Sequence, residues 1–146
     1  MTNKKILIIN GPNLNLLGKR EASIYGTNTL KDLEKKLNFY FKNKNAKLIF
    51  YQSNLEGEII NIIQKNLSKQ DSIIINAGGY SHTSIAISDC LRLFQGLIYE
   101  VHISNIHKRE TFRHHSYVSQ KATAVIAGFG IDGYTVAIRR MAELCV

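Results

Sequence analysis

The sequence predicts an α/β domain built around a doubly wound parallel sheet, and three observations support this fold class. Short apolar runs without polar alternation recur along the chain, which is typical of strands buried on both faces. Stripes of apolar residues at helical spacing separate these runs. The chain has 146 residues, 45% of them hydrophobic, which suits a single domain over residues 1–146 with one core.

Predicted strands and helices alternate along the chain. The apolar runs predict strands at residues 6–9, 48–51, 73–75, 97–101 and 123–127. A helix should follow the first strand, because Thr29 and Asp32 have the spacing of a capping box in front of an apolar stripe. The helical stripes consist of Leu30, Leu33, Leu37 and Phe41, of Ile59, Ile60, Ile63 and Leu67, of Ile85, Leu91 and Phe94, and of Tyr134, Ile138, Met141 and Cys145.

This succession favours five parallel strands in the flavodoxin-like order 2-1-3-4-5, with helices on both faces of the sheet. Crossovers between parallel strands are right-handed, so the winding reverses between strands 1 and 3. A crevice forms at the carboxyl ends of the strands where the winding reverses. We therefore expect the functional site in that crevice.

Composition limits the classes of function. The net charge of +8 arises mainly from lysines on or just after the first predicted helix, which is typical of a solvated helix face and a weak indication of nucleic-acid binding. No apolar run approaches the ~18 residues of a membrane span. Cys90 and Cys145 form no C-x-x-C motif, so we expect a cytoplasmic protein without nucleic-acid or membrane partners.

Polar side chains gather after strands 1, 3 and 4, which are neighbours in the predicted sheet. Residues 10–26 follow strand 1 and residues 76–84 follow strand 3. At the end of strand 4 the two-residue period puts Glu100, His102 and Ser104 on one face, where Glu100 can orient the His102 ring. By contrast, the position of Asp89 on the helix after strand 3 favours a solvated side chain.

Residues 18–26 are bracketed by glycines and carry Arg20 and Tyr25, and we interpret this segment as a mobile lid. A tyrosine acts as a general base only as its phenolate, and a nearby arginine favours that anion. Arg20, Arg109 and Arg113 are candidates for the positive charge. Because Arg109 and Arg113 are four residues apart, a helical turn would put both on one face.

Other motifs give weaker indications. The histidines lack metal-ligand spacing, so we expect no metal. Gly128, Gly130 and Gly133 match the dinucleotide fingerprint, but they follow strand 5, and a tight turn with close helix–sheet packing is the favoured interpretation. From the residues alone, two non-enzymatic alternatives stay open: a flavodoxin-like anion-binding or signalling module, and a basic nucleic-acid-binding domain.

Four motifs with compatible spacing resemble the type II 3-dehydroquinate dehydratases, and together they extend over nearly the whole chain. They are GPNLNLLG at 11–18, Arg20-Glu21 leading to Tyr25-Gly26, NAGG and HTS within 76–84, and EVHISN at 100–105 continuing to Phe112-Arg113 and HSY at 115–117. One departure is Ala22, because the family usually has proline after the lid glutamate.

The resemblance implies dehydration of 3-dehydroquinate to 3-dehydroshikimate in the shikimate pathway, which leads to chorismate and the aromatic amino acids. The reaction would pass through an enolate, with no cofactor. The implied catalytic residues are Tyr25 as base, Arg20 as its helper, Asn13 for the enolate, His102 as acid and Glu100 to orient His102. The implied substrate-binding residues are Asn76, His82, Asp89, Arg113 and the backbone of Ile103 and Ser104.

The resemblance also implies a homododecamer, assembled as a tetramer of trimers. Within a trimer, Asp89 would reach the site of a neighbouring subunit. This implication reverses the interpretation of Asp89 as a solvated residue, and only the resemblance reverses it.

Overall fold

The computed structural model describes residues 4–44, 46–68 and 72–144, and a five-stranded parallel sheet forms its centre. The strands are β1 (Lys4–Asn10), β2 (Ala46–Gln52), β3 (Ser72–Asn76), β4 (Ile98–His102) and β5 (Ala124–Ala127). Their order across the sheet is β2-β1-β3-β4-β5, and every neighbouring pair is parallel. The predicted strand order is confirmed.

Five α-helices accompany the sheet within the described residues: α1 (Ala22–Tyr25), α2 (Leu30–Phe41), α3 (Glu56–Lys65), α4 (Ile85–Arg92) and α5 (Asp132–Leu144). The predicted capping box begins α2, where Thr29 Oγ1 accepts from the Asp32 N–H at 3.1 Å and Asp32 Oδ2 accepts from the Thr29 N–H at 2.9 Å. The single turn of α1 was not predicted, because it buries no residue and has no apolar stripe. Cys145 lies outside the described residues.

Two apolar clusters cover the two faces of the sheet. One contains residues of α2 and α5, including Leu33, Leu37, Tyr134, Ile138 and Met141. The other contains residues of α3 and α4, including Ile59, Ile63, Ile87, Leu91 and Phe94. Helices on both faces bury β3 and β4 completely and β1 from Ile6 onward, whereas the edge strands β2 and β5 are only half-buried. No helix in the part of the chain that the structure describes has the length and apolar character needed to cross a membrane.

The stripe predicted for α4 differs from the observed one at its first residue. Ile85 is 58% exposed, and Ile87 is buried in its place with Leu91 and Phe94. These three residues have the four- and three-residue spacing of one helix face. Ile85 is the first residue of α4 and lies off that face, so its inclusion in the stripe was wrong.

Two glycines bring elements close together near the site. A Cβ on Gly133 would lie 3.3 Å from Val101 and 3.4 Å from Ile126 side-chain carbons, so α5 packs tightly on β4 and β5, as the favoured interpretation of the glycine motif predicted. A Cβ on Gly11 would lie 2.3 Å from the Ala77 carbonyl oxygen. The loops that follow β1 and β3 therefore meet directly at the reversal of winding.

Candidate active site

A cavity of about 160 Å³ opens at the carboxyl ends of β1, β3 and β4, where the reversal of winding predicts a site. It brings together nine of the eleven catalytic and substrate-binding residues expected from the sequence. The other two, Glu100 and Asp89, are not part of its lining. The lining contains Asn13, Arg20, Tyr25, Asn76, His82, His102, Ile103, Ser104 and Arg113, together with Pro12, Leu14, Leu17, Gly78, Gly79, Ile106 and Arg109.

His102 ends β4 and is held by a buried carboxylate. Its Nε2 lies 2.6 Å from Glu100 Oε1, and Glu100 is fully buried while His102 is 5% exposed. An ionised carboxylate only accepts hydrogen bonds, so Nε2 carries the proton of this contact. The ring orientation is therefore fixed, and Nδ1 is the nitrogen left for a bound molecule.

Glu100 accepts two further hydrogen bonds from hydroxyl groups. Ser116 Oγ donates to Oε1 at 2.5 Å, and Ser119 Oγ donates to Oε2. Burial on its own would raise the pKa of Glu100, but the hydrogen bonds from His102, Ser116 and Ser119 and the charge of His102 outweigh it and lower this pKa. Glu100 is therefore a carboxylate at neutral pH.

His82 lies beside His102, on the turn that follows β3. Its Nδ1 donates to the His115 carbonyl oxygen at 2.7 Å, and its ring stacks on the His102 ring with a centroid distance of 6.0 Å. Burial lowers the pKa of His82, and the charges of His102 and Arg113 add to this effect. The ring is therefore neutral at pH 7, and its Nε2 is a hydrogen-bond acceptor.

Asn76 ends β3 and is oriented by a residue of α5. Its Nδ2 donates to the Tyr134 hydroxyl at 3.0 Å, and its Oδ1 accepts from the Gly78 N–H at 3.2 Å. The Tyr134 hydroxyl in turn donates to Asn10 Oδ1 at 2.6 Å. Burial raises the pKa of Tyr134, so the hydroxyl keeps its proton. Sequence reasoning missed Tyr134 because it sits in an apolar stripe, although the hydroxyl of a buried tyrosine usually has a polar partner.

Tyr25 ends α1 and is contacted by two arginines. Arg109 Nη1 donates to the Tyr25 hydroxyl oxygen at 2.8 Å and to Ser104 Oγ at 3.1 Å. The Arg20 guanidinium carbon lies 4.9 Å from the centre of the Tyr25 ring. Sequence reasoning named Arg109 as one of three possible cations but not as a site residue. The one available signal was its four-residue spacing from Arg113.

Arg113 and Asn13 line other parts of the cavity. Arg113 Nε donates to Glu110 Oε2 at 2.8 Å, which fixes the guanidinium group from one side. Asn13 has a left-handed backbone with φ of 69°, and its N–H donates to Asn54 Oδ1 at 3.0 Å. Asparagine tolerates this backbone region better than most residues, so local conformation and site chemistry both favour it here.

Asp89 lies on α4, away from the cavity lining. Its side chain is 63% exposed, and one carboxylate oxygen lies 3.8 Å from Arg92 on the same helix. An exposed pair of this kind contributes little to stability. Within residues 4–44, 46–68 and 72–144, no cluster of three or more His, Cys, Asp or Glu side chains is arranged to hold a metal ion.

Comparison with known proteins agrees with this geometry. The model of the family "Dehydroquinase class II" matches residues 4–142. A 3-dehydroquinate dehydratase of Cereibacter sphaeroides is 51% identical over 140 residues, covering 96% of this chain and 95% of the relative. Catabolic 3-dehydroquinase 1 of Fusarium vanettenii is 56% identical over 133 residues, 91% of this chain and 92% of that protein.

A solved structure is also similar to this chain in fold and in sequence. The type II dehydroquinase from Propionibacterium acnes superposes with a TM-score of 0.93 at 41% sequence identity, covering 96% of this chain and 97% of that one. The family model, the relatives and this structure agree over nearly the full length of the described chain. The chain belongs to the class II dehydroquinase family of enzymes.

Proposed function

We propose that the chain dehydrates 3-dehydroquinate to 3-dehydroshikimate, as part of the shikimate pathway that leads to chorismate and the aromatic amino acids, in the cytoplasm. The observation that carries this proposal is the 2.8 Å hydrogen bond from Arg109 to the Tyr25 hydroxyl oxygen, in the same cavity as His102. A base and an acid on one cavity are the two groups that an elimination of water requires.

Tyr25 is the proposed base. As a phenolate, it removes the proton from the carbon next to the ketone, and the electron pair of the C–H bond moves onto the ketone oxygen to form an enolate. Arg109 at the phenol oxygen and Arg20 against the ring place two positive charges beside Tyr25, and positive charge favours the phenolate. Asn13 supplies a polar side chain on the same cavity for the enolate oxygen.

His102 is the proposed acid. Collapse of the enolate forms the carbon–carbon double bond and breaks the bond to the leaving hydroxyl group, which takes a proton from His102 and departs as water. Glu100 holds the proton on Nε2, so the transferred proton is a second one on Nδ1, and His102 is doubly protonated when this step begins. The next cycle requires the proton on Tyr25 to return to His102. Base and acid each contribute roughly 10²- to 10⁴-fold in rate.

The remaining polar groups bind the substrate in this proposal. Arg113 and the backbone N–H groups of Ile103 and Ser104 hold the carboxylate, because these lining residues offer a positive charge and hydrogen-bond donors. The fixed amide of Asn76 and the neutral ring of His82 bind hydroxyl groups, which both donate and accept hydrogen bonds.

Assembly is a further part of the proposal. A homododecamer built as a tetramer of trimers would bring Asp89 of one subunit to the cavity of its neighbour. Asp89 is exposed on α4, and the neighbouring Ile85 and Leu93 are 58% and 59% exposed. Large apolar side chains that flank an exposed carboxylate support the covering of this face by another subunit.

The test is turnover of 3-dehydroquinate by the purified, metal-free protein, followed through the absorbance of the conjugated enone product. Tyr25→Phe should fold normally and lose at least 100-fold in kcat, roughly the contribution of one general base. Tyr40→Phe is the matched control, because Tyr40 is 57% exposed on α2 and does not line the cavity. Absence of turnover by the wild type would refute the function, and an active Tyr25→Phe would refute the role of Tyr25.

A further inference from the structure

The carboxylate of Glu100 accepts two hydrogen bonds in addition to the one from His102. His102 and Ser116 donate to Oε1, and Ser119 donates to Oε2. Glu100 is fully buried, and a buried carboxylate is costly unless its oxygens are hydrogen-bonded. Both serines therefore compensate a charge that the protein maintains at this position.

The two serines lie in the segment that follows β4 in the chain. Residues 105–120, here called the arginine segment, contain three single 3₁₀ turns and no α-helix or strand. This segment carries both Arg109 and Arg113 to the cavity. The hydroxyls of Ser116 and Ser119 thus connect Glu100 on β4 to the segment that supplies the arginines.

We propose that Ser116 and Ser119 are positioning residues for the reaction, acting through Glu100 on His102. The inference rests on the proposed function, in which His102 is the acid. The two hydroxyls stabilise the carboxylate, so the proton shared between Glu100 and His102 stays on the ring and the ring keeps one orientation. Neither serine lines the cavity, so neither contacts the substrate directly.

Other ionisable groups lie beside the network formed by Glu100, His102, Ser116 and Ser119. The His82 ring stacks on His102 at 6.0 Å, and His102, Arg113 and Glu100 all act on the charge of His82. Because none of these groups is altered in a serine variant, a change in the pH profile of that variant reports on the hydroxyl that was removed.

The first experiment compares the pH dependence of kcat in the wild type and in Ser119→Ala. Besides the Tyr25 phenolate, activity requires ionised Glu100, whose pKa is lowered in the folded protein, so one step of the acidic limb of the profile lies at the pH where Glu100 gains a proton. Loss of one donor raises that pKa, and this step should move to higher pH by about one unit, with kcat lower by about tenfold and KM little changed.

Two further variants show whether the hydroxyl itself matters. Ser119→Thr keeps a hydroxyl and should restore most of the wild-type profile. Ser68→Ala makes the same chemical change at an exposed position after α3 and should leave the profile unchanged. A profile of Ser119→Ala that coincides with that of the wild type would overturn the inference, as would a Ser119→Thr variant that behaves like Ser119→Ala.

A double-mutant cycle separates action through Glu100 from a general loosening of the arginine segment. If Ser119 acts through the carboxylate, adding Ser119→Ala to Glu100→Gln should change kcat by less than about twofold, since the two residues form one network. If Ser119→Ala lowers kcat by the same factor in both backgrounds, the serine acts on the segment as a whole and the inference is wrong.

An activity-independent measurement distinguishes this inference from the proposed function. In the wild type, the ¹³C NMR shift of the Glu100 carboxyl carbon should remain that of a carboxylate at pH 4.5, the ordinary pKa of a glutamate. Its titration should move upward in Ser119→Ala, or in Ser116→Ala should the first variant fail to fold. These shifts need no substrate, so they hold even if 3-dehydroquinate is not turned over, and a half-protonated Glu100 at pH 4.5 in the wild type contradicts the inference.

Discussion

Arg109 and Arg113 line the same cavity and both lie near Glu110, at 3.8 and 2.8 Å from its Oε2, but their hydrogen-bond partners differ. Arg109 is 14% exposed and donates to Tyr25 and Ser104. Arg113 is 23% exposed and donates to Glu110, so its guanidinium keeps N–H groups for a ligand. Hydrogen bonds lower the pKa of Glu110, so this carboxylate remains charged and keeps its partner in place. Arg109 thus acts on the proposed base, whereas Arg113 acts on the bound substrate.

This difference predicts that two alanine substitutions change different kinetic constants. Arg109→Ala should lower kcat by about 10- to 100-fold with a smaller change in KM, and Arg113→Ala should raise KM by a similar factor, because each loses a charge-assisted hydrogen bond of about 1.5–3 kcal/mol. Steady-state kinetics at saturating and limiting substrate measures both constants.

Arg140→Ala is the matched control, because Arg140 is 59% exposed on α5, pairs with Glu143 and does not line the cavity. An unchanged KM in Arg113→Ala would show that this arginine does not bind the substrate. A rise in KM alone in Arg109→Ala would remove this arginine from the proposed base step.

At the scale of elements, the proposed lid, residues 18–26, packs little against the rest of the site. Its helix α1 buries no residue, and Ile24 within it is 39% exposed. The lid is instead closed at its base, where Gly18 has a φ of +85° and approaches the chain beyond the lid. A Cβ on Gly18 would lie 2.7 Å from the Thr27 carbonyl oxygen, so the two ends of the lid meet only because this residue is glycine.

Gly18→Ala should therefore displace the lid and its Tyr25. We expect kcat/KM to fall by at least tenfold, and the free energy of unfolding to fall by about 1–2 kcal/mol, because alanine is strained at positive φ. Denaturant unfolding and steady-state kinetics measure the two effects.

Gly130→Ala separates strain from contact. Gly130 has a φ of +59°, and a Cβ there would meet nothing within 4 Å. This variant should lose comparable stability while keeping its activity. If both variants lose activity equally, the contact at the base of the lid does not hold Tyr25 in place.

The elements also show why part of the site was predictable and part was not. Apolar runs predict buried strands, and strand order follows from right-handed crossovers, so the ends of β1, β3 and β4 and their polar residues were expected together. The arginine segment has no apolar periodicity, and it is held by polar contacts with Glu100, His82 and Ser88 that no sequence pattern shows. Sequence reasoning therefore had no means of deciding which arginine contacts Tyr25.

For the whole molecule, net charge is a poor guide to function and the position of each charge is a better one. The total of +8 includes lysines that do not line the cavity, such as the half-buried Lys36, which pairs with Asp132 and so connects α2 to α5. The charges that matter for a small anion are the three arginines that line the cavity. This arrangement suits one carboxylate better than a polyanion, whose binding needs an extended basic surface.

One question belongs to the assembly: whether Asp89 completes the cavity of a neighbouring subunit. Each cavity would use Tyr25 of its own chain and Asp89 of the next, a head-to-tail contact of the kind that closes into a ring. Tyr25→Phe and Asp89→Ala chains should each be nearly inactive alone. Unfolding them together at equal concentration and refolding them should restore about a quarter of wild-type activity, since a random ring pairs an intact Tyr25 with an intact neighbouring Asp89 at about that frequency.

The control mixture combines Tyr25→Phe with His102→Ala. Both residues line the cavity of the same chain, so no combination of these two chains contains an intact site, and the mixture should stay as inactive as its parents. Activity of the first mixture equal to the mean of its two parents would mean that Asp89 does not act on a neighbour. Full activity of Asp89→Ala by itself would exclude any role in turnover, because a carboxylate needed by the neighbouring cavity cannot be removed without loss.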